Sequence, residues 1–111
     1  MKYHNKKTIV NNIKFDSKLE AKRYTELKWL ERAGEIRDLE LQPCFELIPT
    51  FKKNNKTYRK TTYKADFKYF DTRLNKIVVE DTKGFKTDVY LLKKKMFEYK
   101  YKDLEIREIQ K

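Results

Sequence analysis

The chain has 111 residues, with 28 Lys and Arg against 17 Asp and Glu, and a formal net charge of +11. That length bounds it to one domain with a modest core, and the cationic surplus implies an anionic partner, nucleic acid ahead of a membrane surface. No apolar run approaches about 18 residues and the N-terminus MKYHNKKTIV lacks a signal-peptide core, so a membrane role lacks support and a cytoplasmic location is expected. A lone Cys44 excludes an internal disulfide, and one Cys with one His (His4) argues against zinc. Eight Tyr and seven Phe supply enough apolar area for one core despite the polar average, so the chain reads as globular rather than disordered.

Residues 1–10 form a basic arm ending in a short strand, and Asn11-Asn12 a turn. Ser17 and Glu20 have capping-box spacing, with Asp16 an alternative cap, and Leu19, Tyr24, Leu27, Leu30 and Ala33 recur at helical spacing. A helix over 17–33 follows, ended by Gly34. Residues 39–51 predict an edge or interrupted strand, because Pro43 and Pro49 cannot donate to a ladder. The segment FKKNNKTY predicts a hairpin turn at Asn54-Asn55.

Residues 61–70, TTYKADFKYF, alternate strictly. Tyr63, Ala65, Phe67 and Tyr69 are expected on one face, with Lys64, Asp66, Lys68 and Phe70 on the other. After a turn at 71–75, KIVVEDTK (76–83) predicts a strand closed by Gly84. Thr87 or Asp88 caps a second helix to about Tyr99, with Leu91, Leu92, Lys95 and Tyr99 on one broad side. LEIREI (104–109) is a last short strand. The order is helix, three strands, helix, strand, and its last strand–helix–strand portion is long enough for a parallel crossover.

Adjacent acids Glu80 and Asp81 near the end of an apolar strand require partners, because burying a carboxylate is costly. Alternation places Asp81 and Lys83 on one face, about 6 to 7 Å apart. A hairpin pairing of 63–70 with 76–83 brings Asp66 toward Asp81, and two carboxylates there suit the oxygen shell of Mg²⁺. Glu20 lies about 20° from Leu27 on the helical wheel, bordering the apolar stripe. It either reaches this site or completes the capping box.

An acid on the first helix, an Asp at a strand and D-x-K on the next strand resemble the PD-(D/E)XK nuclease superfamily. FDSKLEAKRY, LELQPCFEL, YKADFKY and VVEDTKGFKT carry the likeness over most of the chain, which looks like the small phage and prophage proteins grouped as a nuclease-like domain of unknown function. The resemblance implies an α/β restriction-endonuclease-like αβββαβ core with a mixed sheet, and one domain over residues 1–111. It also implies Mg²⁺ (or Mn²⁺) held by Glu20, Asp66 and Asp81, with Lys83 as the catalytic lysine, and a DNA endonuclease leaving 5′-phosphate ends. Branched or junction DNA, a homodimer and a bacterial host cytoplasm belong to the same expectation. Ala65 replaces the motif's proline. Glu80 lies outside it, contacting metal through water or pairing with a lysine, and Gln42 resembles a polar residue near the site.

Phosphate contacts are expected from Lys86, Lys93 and Lys94 beside Lys83, from Lys52, Lys53, Lys56, Arg59 and Lys60 around the hairpin, and from Lys2, Lys6, Lys7 and Lys14. Trp29, about 180° from Glu20, marks a dimer or partner surface or is a chance exception. A noncatalytic DNA-binding accessory module and a protein-interaction subunit with an acidic partner are the competing functions.

Overall fold

The computed structural model describes residues 8–83 and 86–110. The arm lysines Lys2, Lys6 and Lys7, His4 and the strand-closing Gly84 lie outside them. The described chain runs β1 (Thr8–Val10), β2 (Ile13–Phe15), α1 (Lys18–Arg32), β3 (Ile36–Leu41), β4 (Cys44–Ile48), β5 (Phe51–Lys53), β6 (Lys56–Tyr58), β7 (Thr61–Lys64), β8 (Phe67–Asp71), β9 (Lys76–Lys83), α2 (Asp88–Lys100) and β10 (Ile106–Gln110). A four-stranded sheet has the order β10-β9-β8-β3. β3, β8 and β9 pair antiparallel in turn and β10 runs parallel to β9, so the sheet is mixed. Taken in chain order, α1, β3, β8, β9, α2 and β10 are the expected αβββαβ series.

Local chemistry explains the element ends. Ser17 caps α1 by accepting from the Glu20 N–H at 3.1 Å, and Gly34 follows the helix at φ 77. Thr87 caps α2 through the Tyr90 N–H at 3.0 Å. Asn11-Asn12 and Asn54-Asn55 all have positive φ, the backbone that tight two-residue hairpins require. Asp71 accepts from the Arg73 and Leu74 N–H groups and so closes the β8–β9 turn.

Alternation along β9 divides the molecule into two cores. Val78 packs with Phe15, Ala21, Tyr24, Leu27, Phe67 and Tyr69 under α1. Val79 packs with Phe45, Tyr63, Ala65, Tyr90 and Phe97 under α2. The interrupted strand expected over 39–51 is β3 and β4, broken at Gln42 (φ 51) and Pro43. One expectation changes here. The strand at 61–70 is β7 and β8, and the chain changes sheets at Ala65–Asp66. Tyr63 and Ala65 therefore serve the α2 core, while Phe67 and Tyr69 serve the α1 core. On α2 the buried side is Tyr90 and Phe97, whereas Leu91, Leu92 and Tyr99 face outward. The aromatic packing of Phe97 on Phe45 and Tyr63 decides that face.

Glu80 is fully buried, and its partners answer the question the adjacent acids posed. Arg23 on α1 grips it with both prongs of the guanidinium, Nε to Oε1 at 2.8 Å and Nη2 to Oε2 at 2.7 Å. The Tyr69 hydroxyl donates to Oε2, and Arg107 donates to that hydroxyl at 3.3 Å. The partner is thus an arginine rather than a lysine or a metal-bound water, because a planar fork satisfies both oxygens without a hydrated ammonium. Arg23→Ala would leave a bare buried carboxylate and is expected to cost about 3 to 5 kcal/mol in urea unfolding. Replacing Arg23 and Glu80 together by Met should recover most of that loss, which a double-mutant cycle measures directly.

Candidate active site

β9 presents Asp81 on the face opposite Glu80 and carries Lys83 two residues further on. The Lys83 Nζ lies 3.3 Å from Asp81 Oδ1 and 3.9 Å from the Tyr90 ring centroid. The Tyr63 hydroxyl donates to Asp81 Oδ2. Phe67 stands opposite Glu80 in the β8–β9 ladder, so the register carries Asp66 alongside Asp81. Asp66 sits at the sheet change itself. Its N–H donates to the Glu80 carbonyl at 3.0 Å, and its carbonyl accepts from the Gln42 N–H at 2.9 Å. Its Oδ2 accepts from both the N–H and the hydroxyl of Thr82 at 2.7 Å.

Glu20 turns inward. Among the described residues only the Ser17 half of the capping box forms, and Glu20 Oε2 is buried without a hydrogen-bond partner. Glu20, Asp66, Asp81, Lys83 and Gln42 line one open pocket of about 280 Å³, together with Asp16, Ser17, Lys64 and Thr82. The geometry of the Arg23–Glu80 pair explains the convergence. Arg23 follows Glu20 by one helical turn, and Glu80 precedes Asp81 by one residue, so the ion pair clamps together the two elements that carry these acids.

The pocket is electrostatically strained. Burial, reinforced by the charges of Asp66, Asp16 and Asp81 and opposed by Lys64, pushes the Glu20 carboxyl up to about 7. Burial also pushes Asp81 up to about 6. The Tyr63 hydroxyl and Lys83 favour its ionised form, and Asp66 disfavours it. Yet among the described residues no three His, Cys, Asp or Glu side chains form a ready-made metal cluster. Much of the oxygen is already engaged, Asp66 with Thr82 and Asp81 with Tyr63 and Lys83. The donor set is all oxygen, the class hard divalent cations prefer, and the orphaned Glu20 Oε2 is a vacant acceptor within it.

Beyond Lys83 lies a second polar group. Tyr90 donates to Glu108 Oε2 at 2.6 Å, and Lys86 and Lys94 reach Glu108 at 2.8 and 3.6 Å. Its bonds with Lys86 and Tyr90 hold the Glu108 carboxyl down to about 2. Two of the three lysines expected beside Lys83 are therefore tied to a carboxylate; Lys93 is half-buried. Lys52, Lys53, Lys56, Arg59 and Lys60 do not line this pocket and are all exposed on the β4–β7 excursion. Trp29 is 64% exposed on α1.

The sequence reading did not single out Arg23, Lys64, Thr82 or Glu108 for the site, and it placed Tyr63 only on one face of an alternating strand. The first had a usable signal, since Arg23 lies i+3 from Glu20 on the same helical side. Lys64 lies two residues before Asp66 in an alternating stretch. Glu108 had none, because its place beside Asp81 follows from the parallel register of β10 on β9.

The mixed sheet, with α1 on one face and α2 on the other, defines a restriction-endonuclease-like α/β core bearing an acidic pocket. Over residues 1–111 the chain matches the family described as "Protein of unknown function (DUF1064)", and it belongs to that family. Neither curated proteins nor solved structures give a significant match. No helix among the described residues is long and apolar enough to cross a membrane.

The raised Glu20 carboxyl has a defined stability consequence. Between the ordinary value of 4.5 and about 7, the folded state binds more protons than the unfolded one, so stability falls as pH rises through that window. The full penalty, on the order of 3 kcal/mol, is present above it. In EDTA, Glu20→Gln is expected to raise the melting temperature above pH 7, with the advantage vanishing near pH 4.5. Thermal melts of both proteins across that range measure this.

Proposed function

We propose that this chain is a metal-dependent endonuclease that hydrolyses phosphodiester bonds in DNA. One observation carries the reading: three acids from α1, the sheet change and β9 line one pocket with Lys83 at its edge, and one of their oxygens is buried without a partner. The net charge of +11 suits a polyanionic substrate.

Glu20, Asp66 and Asp81 would hold Mg²⁺, which when bound lowers the pKa of water and neutralises phosphate charge. Lys83 places an ammonium against Asp81 and the Tyr90 ring, where it meets the charge that develops on the scissile phosphate and orients the attacking water. Tyr63 aims Asp81 by holding its Oδ2, and Thr82 aims Asp66. The water oxygen bonds to phosphorus and releases a proton to solvent as the P–O3′ bond breaks, and the departing oxygen takes a proton from solvent. A 5′-phosphate end is the product.

A second reading has its own support. The engagement of Asp66 and Asp81 by protein partners, without a ready-made cluster, fits a noncatalytic DNA-binding module on the same fold. Linear, nicked, flapped and four-way-junction DNA incubated with Mg²⁺ or Mn²⁺ separates the two. The wild type is expected to cut, and Asp81→Ala and Lys83→Ala to lose activity by about 100-fold or more. Mg²⁺ should also raise the wild-type melting temperature above pH 7 and have little effect on Asp81→Ala. Binding without cleavage of any substrate, and no thermal shift with either metal, would establish the noncatalytic module.

A further inference from the structure

The excursion between β3 and β8 is one long hairpin. β4 pairs with β7 and β5 with β6, in registers that differ by a single-residue shift between Glu46 and Ile48. Its root borders the acidic pocket, where Gln42 and Lys64 are lining residues, and its tip is Asn54-Asn55. Roughly a dozen residues separate Gln42 from the tip, a reach of at most about 40 Å at ~3.4 Å per residue. Among the described residues β5 and β6 pair only with each other, and every residue from Phe51 to Lys60 is exposed.

The chemistry of this ribbon is one-sided. From Leu47 to Ala65 there is no Asp or Glu, while Lys52, Lys53, Lys56, Arg59, Lys60 and Lys64 all fall within the stretch. None of those six forms an ion pair among the described residues. Phe51 stands opposite Tyr58, and Lys53 opposite Lys56. Alternation therefore puts both pairs on one face. The aromatic rings stack at 4.9 Å and 10°, yet remain 43% and 40% exposed. The facing lysines are a like-charge cross-strand pair, an arrangement that costs stability unless an anion lies between them.

We infer that the β5–β6 ribbon is a duplex-DNA-binding arm that enters the major groove beside the cleavage site. The Lys53–Lys56 pair takes backbone phosphates there, and the Phe51–Tyr58 stack lies against the groove wall. A two-stranded ribbon fits a major groove about 12 Å wide. Lysines near its tip reach the phosphates that flank the groove, while exposed aromatic edges find apolar base-edge surface. The inference rests on the DNA reading above and adds the form of the polymer and the element that grips it.

Fluorescence anisotropy with a short labelled duplex in EDTA, over a series of salt concentrations, tests it without cleavage. Lys53→Ala/Lys56→Ala should weaken binding about tenfold, to a similar degree on unrelated sequences, and flatten the log K against log salt slope by about 2. Phe51→Ala/Tyr58→Ala should weaken binding at an unchanged slope. Both variants should remain folded and melt within a few degrees of the wild type, the lysine variant slightly higher for loss of the like-charge pair and the aromatic variant slightly lower for loss of the stack. Wild-type affinity and slope in the lysine variant would overturn the arm, as would tighter binding to a single strand of the same length. Because no metal is present, an arm that binds as described stands even if no substrate is cut, and a cleaving enzyme whose arm variants bind normally loses only the arm.

Discussion

The buried pairing of Arg23 with Glu80 is the constraint on which the remaining arrangement depends. A carboxylate with no solvent exposure is tolerable only when both oxygens are satisfied, and here a guanidinium fork and a tyrosine hydroxyl do so. The partners belong to different layers, Arg23 to the helix and Glu80 to the central strand. Their geometry admits little sliding of α1 across the sheet. Glu20 and Asp81 sit within one helical turn and one residue of this clamp, and so inherit its precision.

A second constraint is the sheet change at Ala65–Asp66. A strand that continued straight would keep Tyr63 and Tyr69 on one face. Breaking it lets Tyr63 pack under α2 and hold Asp81, while Tyr69 packs under α1 and holds Glu80. Asp66 occupies the break, where its backbone is still bonded to β9 but its side chain is free to turn toward Thr82. The pocket exists because the ladder is interrupted there. The same interruption launches the long hairpin, so the acidic pocket and the basic ribbon are two ends of one structural event.

Electrostatically the molecule concentrates its opposites. The net charge is +11, yet Glu20, Asp66 and Asp81 share one pocket in which burial and neighbouring carboxylates hold Glu20 and Asp81 above their ordinary range. Such a group lowers stability at neutral pH, and retaining it is the pattern of a functional site rather than of a packing one. Glu80 and Glu108 lie outside that pocket, Glu80 engaged by Arg23 and Tyr69 and Glu108 by Lys86, Lys94 and Tyr90.

The sequence alone determined the helices, the αβββαβ order, the hairpin turns and the placing of Asp81 and Lys83 on one face, because these follow from local rules of capping, turn backbone and two-residue alternation. It also pointed to Glu20 and Asp66, through wheel position and hairpin pairing. Local rules extended too far in one place. Strict alternation over 61–70 concealed the sheet change, since a broken strand and a straight one carry the same pattern. The leucines of α2 share one broad side, and it was aromatic packing of Tyr90 and Phe97 that decided which side is buried. Only the tertiary structure could assign Glu80 to Arg23, Glu108 to Lys86, and the orphaned oxygen to Glu20. These depend on which distant groups share a low-dielectric space, and separation along a chain carries no record of that.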